Sequence, residues 1–138
     1  MSRIADLIDA VVAELQSGGF TQAERGLLPV FDLQQLSDLH ITVLPSTVER
    51  EESTRGSVVE TLSVAIGIQQ RIDVDNNGDD LFDVVEDIVD FMHRRQLAAL
   101  PDAVAFSIVV DPIFAPEHLD TSRVFTSVIT LTYKIAIG

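Results

Sequence analysis

Apolar residues recur along the chain with two different periods, and the longer period predicts two helices. The first apolar stripe has three- and four-residue spacing and consists of Ile4, Leu7, Ile8, Val11, Val12 and Leu15. Ser2 can cap the start of this helix, and Gly18-Gly19 is expected to end it. A second stripe predicts a helix from about Leu81 to Leu97, and its members are Leu81, Val84, Val85, Ile88, Val89 and Met92.

Two-residue alternation predicts four strands. They are expected at Leu39–Val43, at residues 58–72, at Val104–Val110 and at residues 123–137. Their core sides are expected to carry Leu62, Val64, Ile66 and Ile68 in the second strand and Phe125, Ile129, Leu131, Tyr133, Ile135 and Ile137 in the fourth. Residues 46–57 are polar and charged without an apolar period, so they are expected to form a long loop.

The order of these elements predicts one α+β domain spanning residues 1–138. We expect a four-stranded, mainly antiparallel sheet with two amphipathic helices packed on one face. Residues 20–38 give mixed signals and are expected to form an ordered connection, with a short helical turn at Ala23–Arg25 as one option.

The last strand carries more apolar surface than one face of a small sheet can bury. Val124, Val128 and Ala136 lie on the parity opposite to its core residues. This surplus predicts an oligomer in which neighbours pack edge to edge or face to face. The alternative is that the helices cover one face and the connection at 20–38 covers the other.

Charge and composition exclude several classes of function. The 138 residues carry a formal net charge of −13, which is the wrong sign for binding nucleic acid through its phosphates. The chain has no cysteine, which excludes disulfides, thiolate catalysis and cysteine-bound zinc. No apolar run approaches the ~20 residues of a membrane-spanning helix. The N-terminal stretch is expected to be a helix and not a signal peptide, which favours folding in a cytoplasm.

The stretch Asp73–Asp83 resembles the start of a calcium loop. Asp73, Asp75 and Asn77 alternate before Gly78, but the twelfth position, which needs a bidentate acid, is Val84. We therefore expect a turn followed by an acidic cap of the second helix. A calcium-binding module remains the less favoured alternative.

The sequence offers little to suggest an enzyme. His40, His93 and His118 have no partner at metal-ligand spacing, and there is no nucleophile elbow or glycine-rich phosphate loop. We expect no catalytic residue, metal or cofactor.

Several segments in a shared order resemble one family. They include Val43-Leu44-Pro45, Ile66-Gly67-Ile68-Gln69, Asp111 to Leu119 and Phe125 to Tyr133. Together they make the chain similar, over nearly its whole length, to the tail terminator proteins of long-tailed bacteriophages, also called tail completion or neck proteins.

The resemblance implies a structural virion protein without enzymatic activity. It implies a ring, expected to be a hexamer, that caps the head-proximal end of the tail tube, stops tube polymerisation and forms the docking interface to the head connector. Its partners would be other copies of the chain, the tail tube protein and the head-tail connector or stopper protein. The alternative is a head-tail stopper or connector-completion protein of the same neck.

The expected ring would be assembled in the host cytoplasm and would end up in the tail or neck of the virion. Six copies multiply the charge of −13, so an acidic lumen would let DNA pass by repulsion without specific binding. No membrane association is expected.

Nine residues are candidates for contacts between subunits or with the tube. The charged segment offers Glu49, Arg50, Glu51, Glu52 and Arg55, and its alternative is a solvated tip. A second set consists of Ile113 and Phe114, between two prolines, which would anchor in a neighbour's groove or fold back on their own core. Val124 and Val128 complete the set.

Overall fold

A computed structural model of the chain describes residues 2–26, 39–54, 56–71, 79–111 and 124–137. Its elements are α1 (Arg3–Ser17), β1 (Ala23–Arg25), β2 (His40–Thr54), β3 (Ser57–Arg71), α2 (Asp79–Met92), β4 (Val104–Val110) and β5 (Val124–Ile137). The strands form one sheet in the order β1-β2-β3-β5-β4. β1 is parallel to β2, and the other three pairings are antiparallel.

The prediction of a four-stranded, mainly antiparallel sheet is wrong, because the sheet has five strands and is mixed. The additional strand, Ala23–Arg25, lies in the segment that was expected to be a connection with an optional helical turn. The strand has three residues, of which only Ala23 is buried. A strand this short shows no apolar alternation in the sequence. It exists because it pairs with Ile41–Val43, a tertiary contact. The predicted ring concerns several copies and stays a prediction.

The prediction of a long loop at 46–57 is also wrong. β2 and β3 continue as a paired hairpin, with Glu51 opposite Val59 and Thr54 opposite Ser57. Gly56 has a φ of 74°, a left-handed conformation that glycine adopts without steric cost and that a tight turn requires. The sequence hid this strand because both faces of β2 are polar there.

Both helices pack on the same face of the sheet. The Ser2 side chain accepts a hydrogen bond from the Ala5 backbone N–H and so caps α1, as predicted. α2 ends at Met92, five residues before the predicted Leu97. The helix residues that enter the core are Leu7, Ile8, Ala10, Val11 and Leu15 from α1 and Leu81, Val85, Ile88 and Met92 from α2.

The core lies between these helices and the central strands. One cross-strand row joins Val43, Ile66 and Ile129, and a second joins Val64 to Leu131. All five side chains are buried, and the predicted core alternation at Leu62–Ile68 is confirmed. Burying each such side chain stabilises the fold by about 1.5–3 kcal/mol.

Two aromatic pairs extend this core at its margins. The Phe20 and Phe91 rings meet edge to face at 5.7 Å between their centroids, and Phe82 and Phe125 meet in the same way at 5.6 Å. Phe91 also lies against Gly18 at the end of α1, where a side chain would overlap its ring. α1 and α2 are therefore coupled through Phe91. Neither of these described helices has the length and apolar character to cross a bilayer.

Candidate assembly surfaces

The sheet has two edges whose strands are only partly paired. β1 covers β2 only at Ile41–Val43, so in the described part of the chain β2 has β3 as its only partner from Leu44 to Thr54. At the opposite side, β4 pairs with β5 and with no other described strand. Such edges present unpaired backbone N–H and C=O groups, which are a template for another strand.

Four of the five candidates of the charged segment lie on the part of β2 that no described strand other than β3 covers. Glu49, Arg50, Glu51 and Glu52 are all exposed. The strand register places Arg50 and Glu52 on the side of the sheet that carries the helices, and Glu49 and Glu51 on the other side. Their surface position agrees with a role in contacts, which stays a prediction.

The remaining candidates are only partly described. Arg55, Ile113 and Phe114 lie outside the described residues, as do most of the calcium-like stretch and His118. Val124 is in β5, where its backbone pairs with Arg71, and Val128 is half-buried opposite Gly67. Val128 lies on the side away from the helices, as its parity predicted.

An ion-pair cluster whose partners could not be identified from the sequence fixes the base of the hairpin tip. The Glu60 carboxylate is 4% exposed and accepts hydrogen bonds from Arg3 at 2.6 and 3.0 Å and from Arg50 at 2.7 and 3.1 Å. The hydrogen bonds from Arg3 and Arg50 lower the pKa of Glu60 to about 2, although burial opposes this shift. Glu60 therefore joins the first turn of α1 to both strands of the hairpin.

This cluster left a signal in the sequence. Glu60 is an acid at a position where the alternation of β3 requires an inward side chain. An inward carboxylate needs a charged or hydrogen-bonding partner. Nothing in the sequence showed that the partners would be Arg3, 57 positions earlier, and Arg50 on the adjacent strand.

A second buried carboxylate joins the end of α1 to the segment after α2. Glu14 accepts a hydrogen bond from Arg95 at 2.6 Å and one from the Ala98 backbone N–H at 2.7 Å. The hydrogen bond from Arg95, followed by that from Ala98, lowers the pKa of Glu14. Glu14 is not a member of the apolar stripe of α1, and it is nevertheless buried, with its carboxylate satisfied by these groups.

The β4 edge is apolar and partly cationic. Val104, Phe106 and Val109 are 65, 61 and 53% exposed. The Lys134 ammonium group lies 4.0 Å from the Phe106 ring centroid. An exposed edge strand with these side chains is unusual for a surface that stays in water, since apolar edges favour association.

A groove runs between this edge and α2. One part has a volume of about 420 Å³ and is lined by Phe82, Val85, Glu86, Val89, Asp90 and Val110. A neighbouring hollow of about 320 Å³ lies between β4 and the end of α2, where His93 and Arg94 line it together with Phe106. The groove is therefore apolar with acids at the Val110 end, and basic at the Val104 end.

The sheet face opposite the helices carries hydroxyl and amide groups. Ser63 and Thr132 share a hydrogen bond of 2.9 Å, and Gln69 donates to Thr126 at 3.4 Å. No described helix packs on this face. Within the described ranges, no cluster of three or more histidine, aspartate or glutamate side chains is arranged to hold a metal ion.

The fold is an α+β domain with two helices on one face of a mixed five-stranded sheet. It is similar to the sheath/tube terminator of the PVC extracellular contractile injection system in its extended state, with a TM-score of 0.54 and 14% sequence identity. The similarity covers 100% of this chain and 58% of that protein's chain. No family model and no curated protein matches the sequence.

This comparison supports the resemblance to tail terminators at the level of fold. The neighbour is a terminator, and all of this chain aligns with it. A phage family is not shown by it. At 14% identity, the shared property is the fold, and the role of the chain is a matter for proposal.

Proposed function

We propose that this chain is a structural subunit that caps the head-proximal end of a phage or phage-like tail tube. The observation that carries the proposal is the similarity, over the full length of the chain, to a sheath/tube terminator. In this role the protein stops tube polymerisation and then provides the docking surface for the head connector. It is a component of the particle and not an enzyme.

The exposed edges and the hairpin tip support such a role. A terminator must bind the last ring of a tube with one surface and refuse another tube ring with the opposite one. The hairpin tip offers exposed charges on both faces of β2, including Glu49 and Glu52, for contacts with a neighbouring copy or with the tube. Its base is held in place by Glu60, so the tip is pre-organised for contact.

The net charge suits a ring through which DNA passes. Six copies would surround the channel with six times the charge of −13. Repulsion within the ~8 Å screening distance of physiological salt keeps a polyanion from adhering to the wall. Specific DNA binding is not part of this function.

A second candidate comes from the same comparison. The neighbour belongs to a contractile injection system, and in this second candidate function the chain caps the tube of a phage-like particle with a sheath. A third candidate, the head-tail stopper of a phage neck, shares the ring and differs in its partner. In the first two cases the chain binds tube ends, and in the third it binds the connector.

The experiment is a tube-capping assay with the cognate tube protein. Tubes are polymerised with and without the purified chain, and their length and ends are examined by electron microscopy. We expect shorter, capped tubes and six copies at one end. Binding to the connector without any effect on tubes would move the chain to the stopper layer, and binding to neither would reject the proposal.

A further inference from the structure

The two edges of the sheet that no other described strand covers match each other in direction and in chemistry. β2 is antiparallel to β3, β3 to β5 and β5 to β4, so β2 and β4 run in opposite directions in one subunit. Copies related by rotation about an axis near the strand direction keep these directions. The β4 edge of one copy would therefore meet the β2 edge of the next in an antiparallel arrangement, with the helices on the same side.

We infer that the open segment Thr47–Glu52 of β2 adds as a strand to the β4 edge of a second copy of this chain. The interface is heterologous, because each copy offers a different edge on either side, and such an interface forms a ring when the rotation between neighbours closes. The inference rests on the proposed function for the ring itself. It adds which strands form the interface and in which direction they pair.

Charge complementarity favours a second copy as the occupant. The β2 segment exposes Glu49, Glu51 and Glu52, whereas Arg50 is already bound to Glu60. Around the start of β4, the exposed charged groups are the basic Arg94 and Lys134 and the acidic Asp102, which leaves an excess of positive charge there. In a chain with only nine lysines and arginines and a net charge of −13, a basic patch beside an open edge is a distinct feature.

Antiparallel pairing also places each end of the β2 segment beside β4 residues of complementary charge or polarity. It brings the acidic Glu52 end of β2 to the basic Val104 end of β4. It brings Val48, which is 46% exposed and faces the helix side, to the apolar groove near Val110. A parallel arrangement would place Glu52 beside Glu86 and Asp90, which line that groove, and like charges would oppose it.

Backbone geometry permits the pairing. Thr47 and Glu51, and likewise Val104 and Val109, lie on the face opposite the helices. The irregularity between Ala105 and Ser107 places one extra residue in β4. The distance along the strand from Val104 to Val109 therefore matches that from Thr47 to Glu51. A stagger between the strands is ordinary where sheets curve into closed rings.

The test uses the absence of cysteine from the native chain. Full-length single variants are mixed in pairs and oxidised gently. Antiparallel pairing predicts that Glu51→Cys crosslinks to Val104→Cys, and Thr47→Cys to Val109→Cys. The control pairs, Glu51→Cys with Val109→Cys and Thr47→Cys with Val104→Cys, should give at least about tenfold less product, because their strand positions lie several residues apart.

Charge reversal provides a second measurement. Glu51→Lys/Glu52→Lys and Arg94→Glu/Lys134→Glu should each weaken self-association about tenfold in light scattering, and the four changes together should restore it. Asp87→Lys, an exposed acid of α2 that does not line the groove, is the matched control and should leave self-association within about twofold of the native value.

The outcomes separate this inference from the proposed function. Equal crosslinking in expected and control pairs, or no gain in the fourfold variant, overturns the inference. A chain that stays monomeric at high concentration without crosslinks also overturns it. Tube capping without the expected crosslinks sinks the inference alone, whereas the crosslinks without capping leave it standing and reject the terminator function.

Discussion

The two ends of the β2–β3 hairpin are built on different principles. At the end near α1 and α2, Ile41, Val43, Ile66 and Ile68 are fully buried beneath the helices. At the other end, β2 is exposed on both faces from Thr47 to Glu52. Burial stabilises the first end, whereas backbone pairing and the Glu60 cluster hold the second. The difference indicates that one end maintains the fold and the other is available for contact.

The largest expected difference between the two ends is in the stability lost when an apolar side chain is truncated to alanine. Ile66→Ala should lower the free energy of unfolding by about 2–5 kcal/mol, because it leaves a cavity in the buried core. Val59→Ala, in the tip of the same strand, should cost below about 1 kcal/mol, since Val59 is only half-buried. Urea denaturation measures both. Equal losses would contradict the comparison.

The next effect concerns how the two helices meet. Gly18→Ala should cost about 1–3 kcal/mol, because the new methyl group overlaps the Phe91 ring. The same change in a Phe91→Leu background should cost less, since the smaller side chain leaves room. A double-mutant cycle from thermal unfolding measures the coupling, and a coupling of zero would refute the contact as the cause.

A smaller effect is expected at the base of the tip. Glu60→Gln should cost about 1–2 kcal/mol, since Arg3 and Arg50 lose their charged partner but remain half-exposed to water. Hydrogen exchange should quicken at residues 48–60 more than in the helix-covered end. Glu49→Gln, an exposed glutamate on the same hairpin, is the control. Unchanged exchange in the tip would show that Glu60 does not anchor it.

The pH dependence should follow the same cluster. The pKa of Glu60 is lowered from 4.5 to about 2, so its charged form stabilises the folded state above pH 4.5. That contribution should fade as the pH falls from 4.5 towards 2. Urea unfolding should therefore show the native chain and Glu60→Gln converging over this window. The pKa of Glu14 is also lowered, but Glu14 is present in both proteins. Its contribution to the pH dependence is therefore the same in both and cancels in their difference.

The smallest effect on stability is expected at the exposed tip acids. Glu51→Gln and Glu52→Gln should each change the free energy of unfolding by under about 0.5 kcal/mol, because neither side chain is buried. Thermal unfolding at low protein concentration makes the measurement. A loss as large as that of Glu60→Gln would show that these acids stabilise the fold itself.

The sequence predicted the parts of the fold that rest on apolar periodicity. The stripe of α1 and the alternation at Leu62–Ile68 are both found in the structure. It missed β1 and the outer half of β2, because their strand conformation comes from pairing and leaves no apolar period. The same holds for the Glu60 cluster, whose partners are distant in sequence.

The candidate surfaces were predicted only in part for the same reason. The charged residues at 49–52 were recognised from composition, although their strand conformation was not. The β4 edge was missed as a surface: its alternation predicts a strand, but no pattern in one sequence says which strand lies at the edge. That position follows from the sheet order, in which β5 inserts between β3 and β4.

The insertion of β5 beside β3 also governs how the chain folds. Val58 pairs with Glu52 across a short hairpin and with Ile137, which lies roughly 80 residues further along the chain. The β2–β3 hairpin can close within microseconds. The other edge of β3 stays unpaired until β5 has been placed beside it. We expect folding in milliseconds to seconds, limited by the docking of β5, and a transient hairpin that exposes apolar residues on β3 until then.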